Sequence, residues 1–289
     1  MFGFLNINKP SGPTSHDVVA QVRRRLGRGV KVGHTGTLDP FADGVLVLCV
    51  GPATRLAERV AAGEKRYRAT VTLGATSDTD DVEGRITPSG TAPPAREKVE
   101  AVLPGFVGQI EQVPPAHSAV HVNGRRAYKL ARAGRPAELP TRSVVVHELT
   151  MLRYEPPELE IDARCGGGTY IRALARDIGR DLGCGGYCSK LTRMQVGPFR
   201  LSDAVGPEHL DPQRDLLDPL CALEGIPRVL VEAAAARRIA NGNSVPLPEH
   251  CEPGEVAVID GAGNLLALAE VSEDNLTLRP RRVFICPRA

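Results

Sequence analysis

Gly33-His34-Thr35-Gly36-Thr37-Leu38-Asp39-Pro40-Phe41-Ala42-Asp43-Gly44 decides the reading of this chain. It closes a glycine-rich loop over 27–44 and leads into residues 45–50, an unbroken apolar run that reads as a buried strand. Three glycines let the backbone turn sharply and let another molecule come close. Pro40 fixes its own φ and biases Asp39 toward extended geometry, so a carboxylate is held at the rim of a buried strand. A carboxylate restrained in that way is a candidate for chemistry. The Asp39-Pro40 pair by itself equally fits an N-cap followed by proline at the first helical position.

Upstream, residues 3–8 read as a strand ending at Lys9-Pro10-Ser11-Gly12, a turn composition. Thr14 or Ser15 then offers a helix cap, with Asp17 three residues after Thr14, and Val18, Val19, Val22 and Leu26 follow at helical spacing. Downstream, 54–61 reads as a helix. Tyr67, Ala69, Val71 and Leu73 alternate with polar residues, which predicts a strand with one apolar face. A weaker helix is expected over 96–103 and strands over 143–153 and 158–165, joined at Pro156-Pro157. Ile171, Leu174, Ala175 and Ile178 form the stripe of an amphipathic helix within 169–182. From about Gly225 a short helix containing 233–240 precedes brief strands at 256–259, 265–271 and 276–278. The fold class is α+β with a mixed sheet, divided into a unit of 1–224 and a small β-rich unit of 225–289.

The chain has 289 residues, enough for a large domain and a small one, and its 42% apolar and 24% charged residues are those of a globular protein. The net charge of +2 hides segregation. Cations crowd Arg23, Arg24, Arg25, Arg28 and Lys31, then Arg125, Arg126, Lys129, Arg132, Arg135 and Arg142, then Arg279, Arg281, Arg282 and Arg288, while acids gather at 78–83 and 203–218. Such clusters form either phosphate-facing surfaces or plain solvated faces. Seven scattered cysteines, no signal-peptide pattern and no apolar run near the roughly 18 residues of a spanning helix point to a reduced, cytoplasmic protein away from membranes.

Several chemistries lack their motifs. There is no phosphate-cradling G-x-x-x-x-G-K-[ST], and Gly183-Cys184-Gly185-Gly186 lacks dinucleotide spacing. Cys184 and Cys188 are separated by three residues with no second pair, which does not suit zinc. His117 and His121 would share a helical face, but Pro114-Pro115 and the alternation after them argue against a helix. Residues 78–84 only graze the calcium-loop pattern and are expected to be a solvated turn. No metal and no cofactor are expected.

The 33–44 stretch resembles the motif of the TruB family of pseudouridine synthases, and further segments match in order: 5–15 around Lys9-Pro10, Lys65-Arg66-Tyr67-Arg68, Gly168-Thr169-Tyr170-Ile171-Arg172, and the region of Leu191. Residues 225–285 look like that family's small PUA-type RNA-binding domain. The resemblance implies a largely antiparallel central sheet with flanking helices and a stand-alone, monomeric enzyme that isomerises uridine in the T-loop of tRNA. It implies that Asp39 is the catalytic carboxylate, that Arg172 pairs with it, and that Tyr67 stacks on the base. It further implies that Leu191 walls the pocket, that His34 fills the space left by an everted base, and that Lys9 supports the active-site loops. Tyr170 joins the substrate-binding residues through the same matched segment. An insertion over about 115–142 corresponds to the segment that grips the T-arm, with cations Arg125, Arg126 and Lys129 along phosphates and a helix over 128–132. His117 and His121 stand there where a tyrosine and a lysine are common in the family. Two other readings remain: a guide-RNA-dependent synthase, and a non-catalytic protein that binds or folds tRNA on the same scaffold.

Overall fold

The computed structural model describes residues 1–289 apart from 28, 119–120, 123–124, 127–138, 249–250 and 285–289. The chain begins with β1 (Gly3–Lys9) and α1 (Ser15–Leu26). Thr14 caps α1 reciprocally: its hydroxyl accepts from the Asp17 amide, and the Asp17 carboxylate accepts from the Thr14 N–H. β2 (Val32–His34) and β3 (Asp43–Val50) follow, and both β1 and β2 pair antiparallel with β3. The stretch expected to be loop over 27–44 is therefore part strand, because residues 32–34 satisfy their backbone groups against the free end of β3.

The helix expected over 54–61 is split into a 3-10 turn (Gly51–Leu56) with Pro52 in its first turn and a short α2 (Ala57–Ala62). β4 (Lys65–Leu73) alternates buried and exposed residues as its sequence predicts. β5 (Ala75–Ser77) and β6 (Ile86–Pro88) form a side ladder, followed by α3 (Arg96–Val102) and β7 (Gly108–Gln112). β8 (His121–Val122) and β9 (Arg125–Arg126) make a separate ladder. β10 (Arg142–Glu155) and β11 (Glu158–Cys165) form a long hairpin, then come α4 (Ile171–Asp181), β12 (Gly186–Val196) and β13 (Phe199–Arg200). The last segment holds β14 (Arg228–Leu230), α5 (Ala233–Ala240), β15 (Val245–Pro246), β16 (Gly254–Ile259), β17 (Leu265–Val271) and β18 (Thr277–Val283).

The main sheet runs β1-β3-β12-β4-β11-β10-β7, with β2 on β3 and β13 on β12. Every neighbouring pair is antiparallel except β3 and β12, which meet in parallel through Asp43–Thr192 and Gly44–Arg193. β12 is the element the sequence pattern conceals. Polar Ser189, Lys190, Thr192, Arg193 and Gln195 and two register irregularities break its period of two.

The apolar run of β3 is explained by burial on both faces. Leu46, Leu48 and Val50 pack against α1, while Val45, Val47 and Cys49 face a second cluster. That second cluster also takes Ala257, Leu265 and Leu268 from the five-stranded sheet β14-β16-β17-β18-β15 and Phe284 just after β18, so that the small sheet packs onto the main one. The stripe of α4, with Ile171, Leu174, Ala175 and Ile178, packs with Tyr67, Ala69, Val71 and Leu191. Among the described residues no helix is long and apolar enough to cross a membrane.

Candidate active site

Asp39 rides on a loop whose backbone is tied down residue by residue. The carbonyls of six consecutive residues all accept hydrogen bonds. Gly36 and Thr37 accept from Arg193 at 3.2 Å each, and Leu38 accepts from the Ser15 hydroxyl at 2.8 Å. Asp39 accepts from the Ala42 amide, Pro40 from the Gly12 amide and Lys9 Nζ, and Phe41 from the Ser11 hydroxyl. Ser15 also accepts from the Leu38 amide at 2.8 Å. A loop with its acceptors so engaged holds its side chains without further ordering cost when a ligand arrives. The N-cap reading of Asp39-Pro40 falls away, since no helix follows Pro40 and the chain enters β3.

The carboxylate of Asp39 is 31% exposed and lies against the buried guanidinium of Arg172, whose Nε is 2.9 Å from Oδ2. That N–H points away from the oxygen, so the contact is an ion pair more than an aligned hydrogen bond; Nη2 donates to Oδ1 at 3.4 Å. Arg172 is itself anchored from behind. Nη1 donates to Asp81 Oδ2 at 2.8 Å and to the Thr79 carbonyl at 3.0 Å, and Nη2 donates to the His117 carbonyl at 3.0 Å.

The expectation of a solvated turn at 78–84 is thereby overturned: Asp80 and Asp81 are buried. Asp81 accepts from the Thr79 hydroxyl and the Glu83 amide, and Asp80 accepts from Arg176 Nη1 at 2.8 Å. Two arginines one helical turn apart on α4 reach into this segment and neutralise carboxylates that would otherwise stay in water.

Burial pushes the Asp39 carboxyl above the ordinary carboxylate range; Arg172 opposes the shift, Asp81 adds to it, and Arg193 and Lys9 oppose it. For Arg172, burial works against the cation, but Asp39 and Asp81 outweigh it and the guanidinium stays charged. Tyr67 is buried on β4, and burial raises its phenol while the charge of Arg193 pulls the other way. Tyr67, Leu38, Ala42 and Leu191 belong to one apolar cluster.

Lys9 is fully buried, and its ammonium donates to the carbonyls of Pro10, Pro13 and Pro40; burial lowers its pKa to about 8. Tyr170 is half-buried directly before α4, its amide and carbonyl both engaged by the buried Gln112 side chain. His34 is half-buried on β2, opposite Leu48. Arg125 and Arg126 form β9. Lys129 and the helix expected over 128–132 lie outside the described residues.

The structure thus gathers Asp39, Arg172, Tyr67, Leu191 and Lys9 around one loop. It adds Asp81, Arg193, Ser15 and Gln112, which the sequence reading passed over. Arg193 sits two residues after Leu191 and faces the same side of β12, a relation readable only once β12 is known to be a strand. Asp81 carried no signal, because only the fold brings it to Arg172. A half-exposed carboxylate on a fixed backbone, paired with a buried cation, can serve as a nucleophile or a proton acceptor. Among the described residues no cluster of histidine, cysteine and carboxylate side chains is arranged to hold a metal.

Known proteins with matching sequence and structure have one theme. Residues 23–171 match the family described as TruB family pseudouridylate synthase (N terminal domain), and residues 172–218 match the tRNA pseudouridylate synthase B C-terminal domain. The chain is 42% identical over 304 aligned residues to the tRNA pseudouridine synthase B of Moorella thermoacetica, covering 98% of this chain and 99% of that one. It is 41% identical to the protein of the same name from Synechocystis sp., covering 98% and 100%. Among solved structures, a Cbf5-Nop10-Gar1 complex superposes with a TM-score of 0.73 at 26% identity, covering 99% of this chain and 85% of that one. An H/ACA RNP bound to a substrate RNA containing 2'-deoxyuridine shares the fold, with the same TM-score at 24% identity and coverage of 98% and 85%.

Proposed function

Because the chain belongs to the TruB family of pseudouridylate synthases, we propose that it isomerises uridine to pseudouridine in tRNA, at position 55 of the T-loop, as a stand-alone monomeric enzyme. The reaction breaks the N1–C1′ bond, turns the uracil, and joins C5 to C1′ as the C5 proton leaves and N1 takes up a proton. It is neither redox nor hydrolytic, and side chains alone can carry it. The observation that carries the reading is the Asp39–Arg172 pair on a loop with six consecutive carbonyls engaged. A protein that only bound or folded tRNA has no need of such a pair.

Asp39 acts on the everted nucleotide as its ionised carboxylate, by adding to an electron-poor carbon or by taking the C2′ proton. Arg172 supplies the countercharge that lets Asp39 stay ionised when the site closes. Tyr67 stacks on the uracil, Leu191 and Tyr170 wall it, Lys9 fixes the loop, and His34 occupies the space the base leaves. The 115–142 segment grips the T-arm, with Arg125, Arg126 and Lys129 on phosphates, and residues 225–289 serve as a PUA-like RNA-binding unit. Buried free thiols at Cys49, Cys165, Cys184 and Cys188 suit the reducing cytoplasm, where tRNA is processed.

The test is incubation of the purified chain with an unmodified tRNA transcript, followed by mapping of pseudouridine along it. Modification confined to the T-loop uridine is expected. Modification elsewhere refutes the position, and its absence refutes the activity.

A further inference from the structure

We propose that Arg193 is a positioning residue that holds the Asp39 loop and the Tyr67 phenol in one fixed relation, so that carboxylate and ring meet the same uridine. The inference rests on the reading that Asp39 and Tyr67 serve uridine isomerisation.

Arg193 is 3% exposed, and among the described residues it forms no ion pair with a carboxylate. Burying a guanidinium is costly, and an apolar side chain of similar volume commonly fills such a place at no loss of stability. What Arg193 gains is a set of oxygens. Nε donates to the Val45 carbonyl at 2.7 Å, Nη1 to Thr37 and Nη2 to Gly36 at 3.2 Å, and the guanidinium lies across the strand pair from Tyr67, close enough for its charge to act on the phenol. The planar fork suits this task, since one ammonium could not span acceptors spread over residues 36 to 45 and a neighbouring strand.

The backbone position explains why the task falls here. Arg193 lies opposite Gly44 of β3 on one side and opposite Tyr67 of β4 on the other, at the single place where the loop carrying Asp39 joins β12. The other side-chain ties to the backbone of that loop come from one direction. Lys9, Ser11 and Ser15, on the segment running from β1 into α1, take the carbonyls of Pro40, Phe41 and Leu38. Arg193 provides the opposing tie and joins it to the tyrosine. Its charge also favours the ionised forms of both Asp39 and Tyr67, which suits a reaction in which protons leave the substrate.

The test uses the full chain and tRNA carrying [5-³H]uridine, with tritium release measured in a single turnover and tRNA affinity measured separately. The variants are Arg193→Lys, Arg193→Met, Tyr67→Phe and the Arg193→Lys, Tyr67→Phe double variant. Arg193→Lys keeps the charge and should fold and bind tRNA like the parent, yet lose about 10- to 100-fold in rate, the cost expected of reacting groups displaced by about 1 Å. Arg193→Met should lose more. In the Tyr67→Phe background, Arg193→Lys should cost less than it does alone, because the hydroxyl it addresses is already gone and only the ties to the loop remain to be lost.

A wild-type rate in Arg193→Lys overturns the proposal. So does a rate loss matched by equal losses of tRNA affinity and melting temperature, or full additivity with Tyr67→Phe. Should Arg193→Met fail to fold, the lysine variant decides alone. A parent chain that releases no tritium overturns the functional reading itself, and this inference with it.

Discussion

Gly44 faces Arg193 so closely that a Cβ on the glycine would stand 2.3 Å from the Arg193 carbonyl oxygen. The glycine also adopts φ +101, a region that L side chains rarely enter. The parallel contact between β3 and β12 passes through this pair and its neighbours Asp43 and Thr192, so the glycine sets how near the Asp39 loop comes to the strand bearing Leu191.

Gly44→Ala should therefore part the two strands. Backbone strain and the contact with Arg193 together should cost about 3 kcal/mol of stability, and tritium release should fall with it. Denaturant unfolding measures the first quantity. An alanine variant as stable as its parent would mean that β3 can shift away from β12 freely.

Asp39→Asn should abolish isomerisation without lowering the melting temperature at pH 7. Burial raises the Asp39 pKa above its ordinary 3.8, so the folded chain binds that proton more tightly than the unfolded chain does. Stability is then lost as pH rises from 3.8 through the raised value. The amide carries no such loss. Activity has the opposite slope: it should appear only as Asp39 ionises, with its acid limb above pH 3.8. A melting temperature clearly below the parent's would show that the Arg172 pair outweighs burial.

Asp81→Asn tests the anchor behind Arg172. The side chains of Arg172 and Asp81 are only 5% and 3% exposed, so removing one charge leaves the other buried and partly uncompensated. We expect a loss of about 3 kcal/mol, the low end for breaking a buried pair, and slower turnover because Arg172 no longer addresses Asp39 from a fixed place. Thermal unfolding and single-turnover rates read the two effects. Undiminished turnover would make Asp81 a bystander to catalysis.

Phe284→Ala probes the contact between the two sheets. Phe284 stacks on Phe2 with ring centroids 5.5 Å apart and belongs to the cluster holding Phe4, Val45 and Phe199. Its truncation should cost about 3 kcal/mol, measured by denaturant unfolding. A loss well below 1 kcal/mol would mean that the small sheet contributes little to the stability of the main one.

Much of this was legible in local spacing. The Thr14/Asp17 box, the stripe of α4 and the alternation of β4 each follow from a period or a cap written within a dozen residues, and each appears where expected. The unbroken apolar run at 45–50 announced a strand covered on both faces, which is how β3 lies. β12 escaped because its inner face carries Arg193, and a buried arginine reads as a solvated one until its acceptors are known. Residues 78–84 misled in the same way: acids are expected in water unless cations meet them, and the cations here come from α4.

The amino-acid order by itself marked α1, α4, β3 and β4, and with them an Asp-Pro turn leading into a doubly covered strand. Propensity, period and capping act over a few residues, so they can be read along the chain. Family resemblance, not spacing, pointed from Asp39 to Arg172, 133 positions away; tertiary structure alone decided that Arg172 also meets Asp81, 91 positions away, and that Arg193 comes between the Asp39 loop and Tyr67. An ion pair or a shared carbonyl has no signature in spacing. It exists only once burial has removed water as the competing partner and sheet order has brought distant strands side by side.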